Sequence, residues 1–328
     1  MTRDRSIDIL KGFGIILMVI GHIEVGLPMS RYNESFYMPL FYVISGYLIS
    51  TKRPYKDFIL SRLKSLILPY YVFGGIGMLF CLIFKYGDIG EFAFNMFFYP
   101  ERGSMPIVGA IWFLMSMFIS QCIYYPVIKK CKKEWQILLF CVLACVLLTV
   151  IPGIFSAQLP LALNTVGISC LYLYFGRIIK IGCKKNENKN PLSLNWIWTA
   201  VLIAAHLGLC FLNDASNYRR SEFGKSMLLY LVISMIAIVG YWNLFKKIKR
   251  PRFLMNYLDF VGRNSMVYLV TNQIVIFLAK QIFTGLFAGA DMFLYIVSKI
   301  VYIVFTLAVI HALVYLFNYK KLKILIGK

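Results

Sequence analysis

The feature that most constrains this chain is its succession of long apolar runs. About ten runs of roughly 20 residues carry few charges, the length that a helix needs to cross about 30 Å of hydrocarbon. They span 7–27, 34–51, 62–84, 106–128, 135–152, 156–178, 194–212, 226–244, 264–284 and 292–317. Unpaired backbone groups are not tolerated in lipid, and the runs lack the alternation of barrel strands. The sequence therefore predicts an all-α, polytopic integral membrane protein.

The positive charge of the chain is explained by topology. The formal net charge is +21, but with a cytoplasmic N-terminus 27 of the 35 Lys and Arg residues fall on the cytoplasmic side. Such a bias follows the positive-inside rule and predicts an even number of spans with both termini in the cytoplasm. We therefore expect the lipid bilayer, and no nucleic acid, as the partner of the basic residues.

The connections between the runs are too short for a soluble domain. The longest non-apolar stretches have about twenty residues, so residues 1–328 are predicted to form one membrane domain,. The first run lacks a small-residue cleavage site and is interpreted as a retained helix. The eight cysteines lie mostly inside spans and the three histidines are far apart, so we predict no metal site,.

The first span, which contains "KGFGIILMVIGH", carries a base at each end. Lys11 and His22 are eleven residues apart, close to three helical turns, so they project from the same side about 16 Å apart,. Asp8 lies one turn before Lys11. Ionisable groups in lipid are costly, which predicts that this side faces the bundle interior or a water-filled channel. The alternative is that Lys11 snorkels to the headgroups with Asp8 as its partner and His22 sits at the outer interface.

Other polar residues occur where lipid should exclude them. Ser45 and Gly46 in the second span suit close approach of a helix or a ligand, and Arg62 and Lys64 open the third span, where they either hold phosphates or follow the positive-inside rule. In the remaining spans we single out Trp112, at the estimated depth of His22, and the mid-membrane residues Thr271, Asn272 and Gln273. At least one of these three is expected to line a cavity, whereas an interfacial aromatic belt would equally explain Trp112.

Two extracytoplasmic connections combine polar and aromatic residues. The segment 85–105 mixes acids with aromatics, and 213–225, "NDASNYRRSEFGK", is dense in hydrogen-bonding groups. Such mixtures suit sugar recognition, although any exposed loop is polar.

The segments "SIDILKGFGIILMVIGH", "FYMPLFYVISGYL", "RLKSLILPYY", "WFL" and "GRNSMVYLVTNQ" follow one another as in the family-3 membrane acyltransferases. Over nearly its whole length the chain resembles the bacterial branch described as fucose 4-O-acetylase-like. The resemblance implies a bacterial plasma-membrane enzyme that transfers an acyl group, usually acetyl from cytoplasmic acetyl-CoA, to a hydroxyl of an extracytoplasmic glycan or lipid-linked sugar, with no tightly bound cofactor.

The family motifs also assign expected roles to residues. The resemblance implies that His22 is the catalytic histidine, as general base or acyl shuttle, and that Lys11 stands where many members have arginine. We expect the donor near Asp8, Lys11, Ser45, Arg62 and Lys64, and the acceptor near Trp112, Thr271, Asn272 and Gln273. Thr271 and Asn272 take the place of a histidine found in many relatives. The alternatives are a transporter or flippase for lipid-linked sugars or polysaccharides, and a non-catalytic partner of a glycan synthase.

Overall fold

The computed structural model describes residues 4–103, 105–185, 194–248, 250–283 and 291–328. These residues are mostly helical, as the apolar runs predict. The first half contains α1 (Arg5–His22), α2 (Leu27–Glu34), α3 (Tyr37–Leu48), α4 (Tyr55–Arg62), α5 (Leu68–Phe84), α6 (Ile89–Phe98), α7 (Trp112–Lys130), α8 (Glu134–Cys145) and α9 (Ile151–Ile154). The second half contains α10 (Leu163–Lys185), α11 (Trp196–Leu212), β1 (Ser216–Asn217), β2 (Glu222–Phe223), α12 (Met227–Lys247), α13 (Arg252–Arg263), α14 (Ser265–Phe283) and α15 (Met292–Phe317).

Seven helical segments of the described chain are long and apolar enough to cross a membrane. They are Tyr55–Phe84, Gly109–Lys130, Glu134–Ile154, Pro160–Cys183, Met227–Lys247, Ser265–Phe283 and Met292–Phe317. Each coincides with a predicted span. The other three predicted spans contain α1, α3 and α11, which are shorter or carry more charge. The all-α membrane architecture is therefore confirmed, while the count of ten spans and the orientation stay predictions.

The first helix lies at the centre of the bundle rather than at its lipid face. α1 packs against α13, α3, α14 and α12, and Leu10 and Val19 are fully buried. Charged residues at one end of α1 are compatible with this position because protein, rather than lipid, surrounds them. By contrast, α15 is mostly exposed, as expected of a helix that faces lipid.

Glycine allows the closest helix contacts. A Cβ atom on Gly46 would overlap the backbone carbonyl of Leu173 where α3 crosses α10, and one on Gly12 would overlap the carbonyl of Leu258 where α1 crosses α13. Small residues at such crossings let the backbones approach. Gly46 thus serves helix packing, whereas the neighbouring Ser45 remains available to a cavity.

α1 and α3 run in opposite directions through the core, and α2 lies between them in sequence. Because α3 begins only at Tyr37, Glu34 at the end of α2 lies outside that helix. α1 ends at His22, and Glu24 follows in the left-handed region at φ 58°. The chain therefore turns sharply just after the histidine.

The segment 213–225 folds onto the bundle. Strands β1 and β2 pair antiparallel, with Ser216 opposite Phe223. Asn213 fixes the base of this hairpin, since its Nδ2 donates to the carbonyl of Phe223 (3.1 Å) and its Oδ1 accepts from the backbone N–H of Lys225 (2.9 Å). At the tip, Tyr218 is buried and shares a 2.7 Å hydroxyl hydrogen bond with Ser169 of α10. These contacts determine where the residues beside Tyr218 lie.

Candidate active site

Two cavities among the described residues lie at opposite ends of α1 and α3. The first, which we call the histidine cavity, has a volume of about 490 Å³ and contains His22. Its polar lining comprises His22, Glu24, Ser30, Glu34, Tyr37, Asn217, Arg219, Gln273 and Lys280, with Trp112 and Tyr218 among its aromatic members. A base, two carboxylates and a guanidinium thus share one water-accessible space.

A glutamine side chain orients His22. The backbone N–H of Ala110 donates to Oε1 of Gln273 (2.8 Å), so the amide presents its Nε2 group to Nδ1 of His22, 3.3 Å away. Because the amide nitrogen is only a donor, Nδ1 is the acceptor and the neutral ring carries its proton on Nε2. The unprotonated nitrogen of His22 therefore lies beside a fixed hydrogen-bond donor.

Glu34 and Arg219 in the histidine cavity have pKa values shifted from those of the free side chains. Burial raises the pKa of the Glu34 carboxyl to about 7, although the Arg219 guanidinium opposes the shift and Glu222 adds to it. Burial lowers the pKa of Arg219, and its neighbour Arg220 acts in the same direction. An arginine remains protonated even so. The cavity therefore combines a permanent positive charge with a carboxyl that can exchange a proton near neutral pH.

The aromatic wall of the cavity comes from α7 and from the hairpin. Trp112, the first residue of α7, is buried and stacks at 6.4 Å on Tyr218. Tyr218 in turn stacks on Tyr42 of α3 at 5.7 Å. Flat apolar faces next to hydrogen-bonding groups are suited to a sugar ring.

A second histidine is close to this region but has a structural role. His206 is fully buried, and its Nε2 lies 2.8 Å from Oγ of Ser35, whose hydroxyl donates to the carbonyl of Tyr32 (2.7 Å). Nδ1 lies 3.4 Å from the hydroxyl of Tyr241. Since both ring nitrogens have partners, His206 ties the segment next to Glu34 to α11 and α12.

The second cavity, which we call the lysine cavity, has a volume of about 540 Å³. Its lining includes four cations, Lys11, Lys52, Arg53 and Arg62, together with Ser45, Ser50 and Phe58. Nε of Arg62 is buried without a hydrogen-bond partner among the described residues, and its guanidinium lies 5.2 Å from the centre of the Phe58 ring. This concentration of positive charge suits phosphate groups.

Neighbouring contacts hold the lysine cavity in place. Lys11 Nζ lies 3.8 Å from Oδ1 of the buried Asp8, and Oγ of Ser45 accepts from Nε2 of Gln121 (2.7 Å). The carbonyl of Arg53 accepts from the hydroxyl of Tyr125 (2.7 Å), which fixes the loop after α3.

Apart from His22, five of the predicted site residues line one of the two cavities: Lys11, Ser45, Arg62, Trp112 and Gln273. Four others lie elsewhere. Asp8 stands behind Lys11, Lys64 is exposed outside the lysine cavity, and Thr271 and Asn272 are buried with hydrogen bonds to carbonyls of their own helix. These helix bonds satisfy the hydroxyl of Thr271 and the amide N–H groups of Asn272. The Oδ1 atom of Asn272 is buried without a hydrogen-bond partner among the described residues.

The predicted site residues do not include Glu34, Lys52, Arg53 and Arg219, which line the cavities. In the sequence, the positive-inside rule accounts for Lys52 and Arg53, and Arg219 belongs to the segment 213–225, which suits either sugar recognition or an ordinary polar loop. The sequence feature that points to Arg219 is the neighbouring Tyr218, because this aromatic residue anchors the loop in the core. Among the described residues, no group of three or more His, Cys, Asp or Glu side chains is placed to hold a metal ion.

Comparisons with known proteins identify the family of this chain. The model for the acyltransferase domain of family 3 matches residues 4–318. The nodulation protein NolL of Mesorhizobium japonicum (strain LMG 29417 / CECT 9101 / MAFF 303099) is 26% identical over 227 residues, which cover 64% of this chain and 56% of that relative. The chain thus spans little more than half of NolL, and no solved structure matches significantly. Because the family model covers almost the whole chain, this protein belongs to acyltransferase family 3.

Proposed function

We propose that this protein transfers an acetyl group from acetyl-CoA, bound at the lysine cavity, to a hydroxyl of a glycan or lipid-linked sugar in the histidine cavity. The observation that carries the proposal is the pairing of the cavities along α1, with Lys11 lining one and His22 lining the other. Eleven helical residues separate the two by about 16 Å, a length that suits the extended arm of the donor.

The lysine cavity supplies what a nucleotide-linked donor requires. Lys11, Lys52, Arg53 and Arg62 would bind phosphates, and Phe58 offers an apolar face. Because Lys and Arg concentrate on this side of the predicted topology, we place the donor in the cytoplasm. The thioester end would then point along α1 and α3, past Leu40 and Phe41, whose side chains lie against Gly14.

In the histidine cavity, His22 would act as general base. The acceptor hydroxyl would bind beside the amide of Gln273 and give its proton to Nδ1, the unprotonated nitrogen,. At 3.3 Å the bond between Gln273 and His22 is longer than a usual hydrogen bond, so a hydroxyl can compete for Nδ1. Because Nδ1 would then be engaged by the acceptor hydroxyl, we propose direct transfer to the acceptor.

The acceptor would bind against the aromatic wall of Trp112 and Tyr218, with Glu34 and Asn217 available to its hydroxyls. This combination of stacking and hydrogen bonding supports a sugar as acceptor. On the predicted topology the histidine cavity opens on the extracytoplasmic side, so the sugar would belong to the cell envelope or to a lipid-linked precursor.

The test compares envelope glycans from cells that carry the intact protein, His22→Ala, His311→Gln or no protein. His311 lies on α15 outside both cavities and packs against Phe260, so it provides the matched histidine control. We expect a mass increment of one acetyl group, removed by mild base, with the intact protein and with His311→Gln. His22→Ala, expressed to the same level, should lack it.

The transporter hypothesis predicts a different pattern. Glycans would carry no base-labile ester in any strain, their amount would depend on the protein, and His22→Ala would still support them. That result would overturn the proposal of acyl transfer at His22.

A further inference from the structure

Arg219 reaches the histidine cavity from the hairpin, although neither composition nor motif singles it out. Its side chain is half-buried and lines the cavity. Among the described residues, none accepts a hydrogen bond from its guanidinium or lies within ion-pair distance of it. A guanidinium offers five N–H donors in a fixed fork, and these remain available to a ligand that enters this water-accessible cavity. The cavity therefore contains an unused site for a negatively charged or strongly polarised oxygen.

The hairpin holds Arg219 in a defined place. Tyr218 is bonded to Ser169, Asn213 ties the two ends of the hairpin, and Oδ1 of Asn217 accepts from the backbone N–H of Arg220 (3.3 Å). The backbone on either side of Arg219 is thus anchored. A hydrogen-bond donor that the protein already holds in position does not have to reorganise when charge develops on a substrate.

The guanidinium also lies close to the groups that orient His22. Nη1 of Arg219 and Oε1 of Gln273 lie 3.7 and 3.4 Å from the position of a Cβ on Gly109. Both Nη atoms lie 3.2 Å from the equivalent position on Gly103. Because these two glycines carry no side chain, the guanidinium can approach the Gln273 amide, which contacts His22.

The charges around Arg219 are compatible with an anion that forms only transiently. Glu34 and Glu101 both interact electrostatically with Arg219 without reaching ion-pair distance. Burial raises the pKa of Glu101, and backbone N–H donors oppose that shift. Two nearby carboxyls disfavour permanent binding of an acidic ligand, but they do not occupy the donors of the guanidinium.

We propose that Arg219 binds the carbonyl oxygen of the acyl donor and stabilises the negative charge that this oxygen acquires during transfer. This inference rests on the proposed function. As His22 Nδ1 takes the hydroxyl proton, the acceptor oxygen bonds to the carbonyl carbon and the C=O electron pair moves onto the oxygen that faces Arg219. When the C=O bond re-forms, the carbon–sulfur bond breaks and the thiolate of CoA takes the proton from the imidazolium.

The experiment uses detergent-solubilised full-length protein, radiolabelled acetyl-CoA, and glycans and lipid-linked glycans extracted from cells that lack the protein. The rate of base-labile label incorporation is measured for the intact protein, Arg219→Lys, Arg219→Ala and Arg220→Ala. Arg220 is the exposed neighbour and provides the matched control. Dilution series of acetyl-CoA and of the glycan extract separate the maximal rate from the apparent KM for each substrate.

We expect Arg219→Ala to lower the maximal rate by about 100-fold or more, the usual effect of removing one donor to an oxyanion. Both apparent KM values of Arg219→Ala should change little, and added guanidinium ion should restore part of its activity. Arg219→Lys should retain part of the rate. Arg220→Ala should behave as the intact protein.

Three results would overturn the inference. The first is an Arg219→Ala variant that keeps the intact rate. The second is a loss confined to the apparent KM for the glycan, which would make Arg219 an acceptor-binding residue. The third is a loss that neither lysine nor guanidinium ion restores, which would make the role of Arg219 structural. No label with the intact protein would instead contradict the proposed function itself.

Discussion

The side-chain amide of Gln273 lies 3.3 Å from Nδ1 of His22 while its oxygen accepts the backbone N–H of Ala110. The amide can therefore not rotate to present its oxygen to the imidazole without losing the bond to Ala110. This contact between α14 and α1 fixes the ring nitrogen on which the proton resides, and with it the direction in which His22 can accept a second proton.

Replacing Gln273 with glutamate tests this contact. In Gln273→Glu a carboxylate of the same shape stands beside the ring and stabilises the imidazolium, so a higher pH is needed to obtain the neutral base. We expect the acid limb of the pH–rate profile to move to higher pH. Gln273→Met should lower the rate without moving that limb as far. An unchanged profile in Gln273→Glu would contradict an acceptor role for Nδ1.

The half-buried carboxyl of Glu34 predicts how the stability of the folded protein depends on pH. Its pKa is raised from 4.5 to about 7 in the folded protein, so the folded state retains a proton that the unfolded state loses. Stability associated with this group therefore falls as pH rises from about 4.5 to about 7. Glu34→Gln should remove that fall, which gives a higher Tm than the intact protein at pH 8 and a similar Tm near pH 4.

The measurement is thermal unfolding in detergent across this pH range, with Glu24→Gln as control. Glu24 lines the same cavity but is exposed. Parallel Tm curves for the intact protein and Glu34→Gln would show that the Glu34 carboxyl does not titrate differently in the two states.

Substitutions of Lys11 and Lys64 test whether binding of the acyl donor requires the lysine cavity or only a positively charged surface. Lys11 lines the lysine cavity, whereas Lys64 is exposed outside it. Loss of one charge-assisted contact to phosphate should weaken apparent affinity for acetyl-CoA about tenfold in Lys11→Met. Lys11→Arg should retain affinity and Lys64→Gln should leave it unchanged. Equal effects of Lys11→Met and Lys64→Gln on the KM for acetyl-CoA would place the donor elsewhere.

The contact of α3 with α10 predicts a packing defect. In Gly46→Ala the added methyl group overlaps the carbonyl of Leu173, and the helices must separate. Overpacking of this kind costs about 1–3 kcal/mol, so the Tm should fall. Gly75→Ala is the control because its added Cβ meets no described atom within 4 Å outside its chain neighbours and its own helix backbone. A Tm for Gly46→Ala equal to that of Gly75→Ala would exclude the close crossing.

The sequence was sufficient to predict helices and the importance of one face of α1. Apolar runs specify helices because lipid leaves the backbone no other partner, and Lys11 and His22 share a side because eleven residues complete three turns. The cavities that they line depend on contacts between distant segments. Gln273 and Ala110 are 163 residues apart in the chain, and no local pattern predicts that they meet at His22.

Arg219 and the pair Thr271 and Asn272 illustrate opposite limits of sequence reasoning. Arg219 belongs to a polar loop, and only the burial of Tyr218 brings it into the histidine cavity. Thr271 and Asn272 are polar residues in mid-membrane, but their hydrogen-bond donors go to carbonyls of their own helix. A polar residue in a span therefore indicates that a hydrogen-bond partner is needed. The sequence does not show whether that partner is a substrate or the helix itself.

Transfer between the two cavities is tested most directly in sealed membrane vesicles with the cytoplasmic face outward. Radiolabelled acetyl-CoA, which does not cross the bilayer, is supplied outside, and alkali-labile label is then measured on glycans inside the vesicles. We predict label with the intact protein and with Lys64→Gln, and none with His22→Ala. Label of equal amount with His22→Ala, or label confined to the outside of the vesicles, would contradict acyl transfer from the lysine cavity to the histidine cavity.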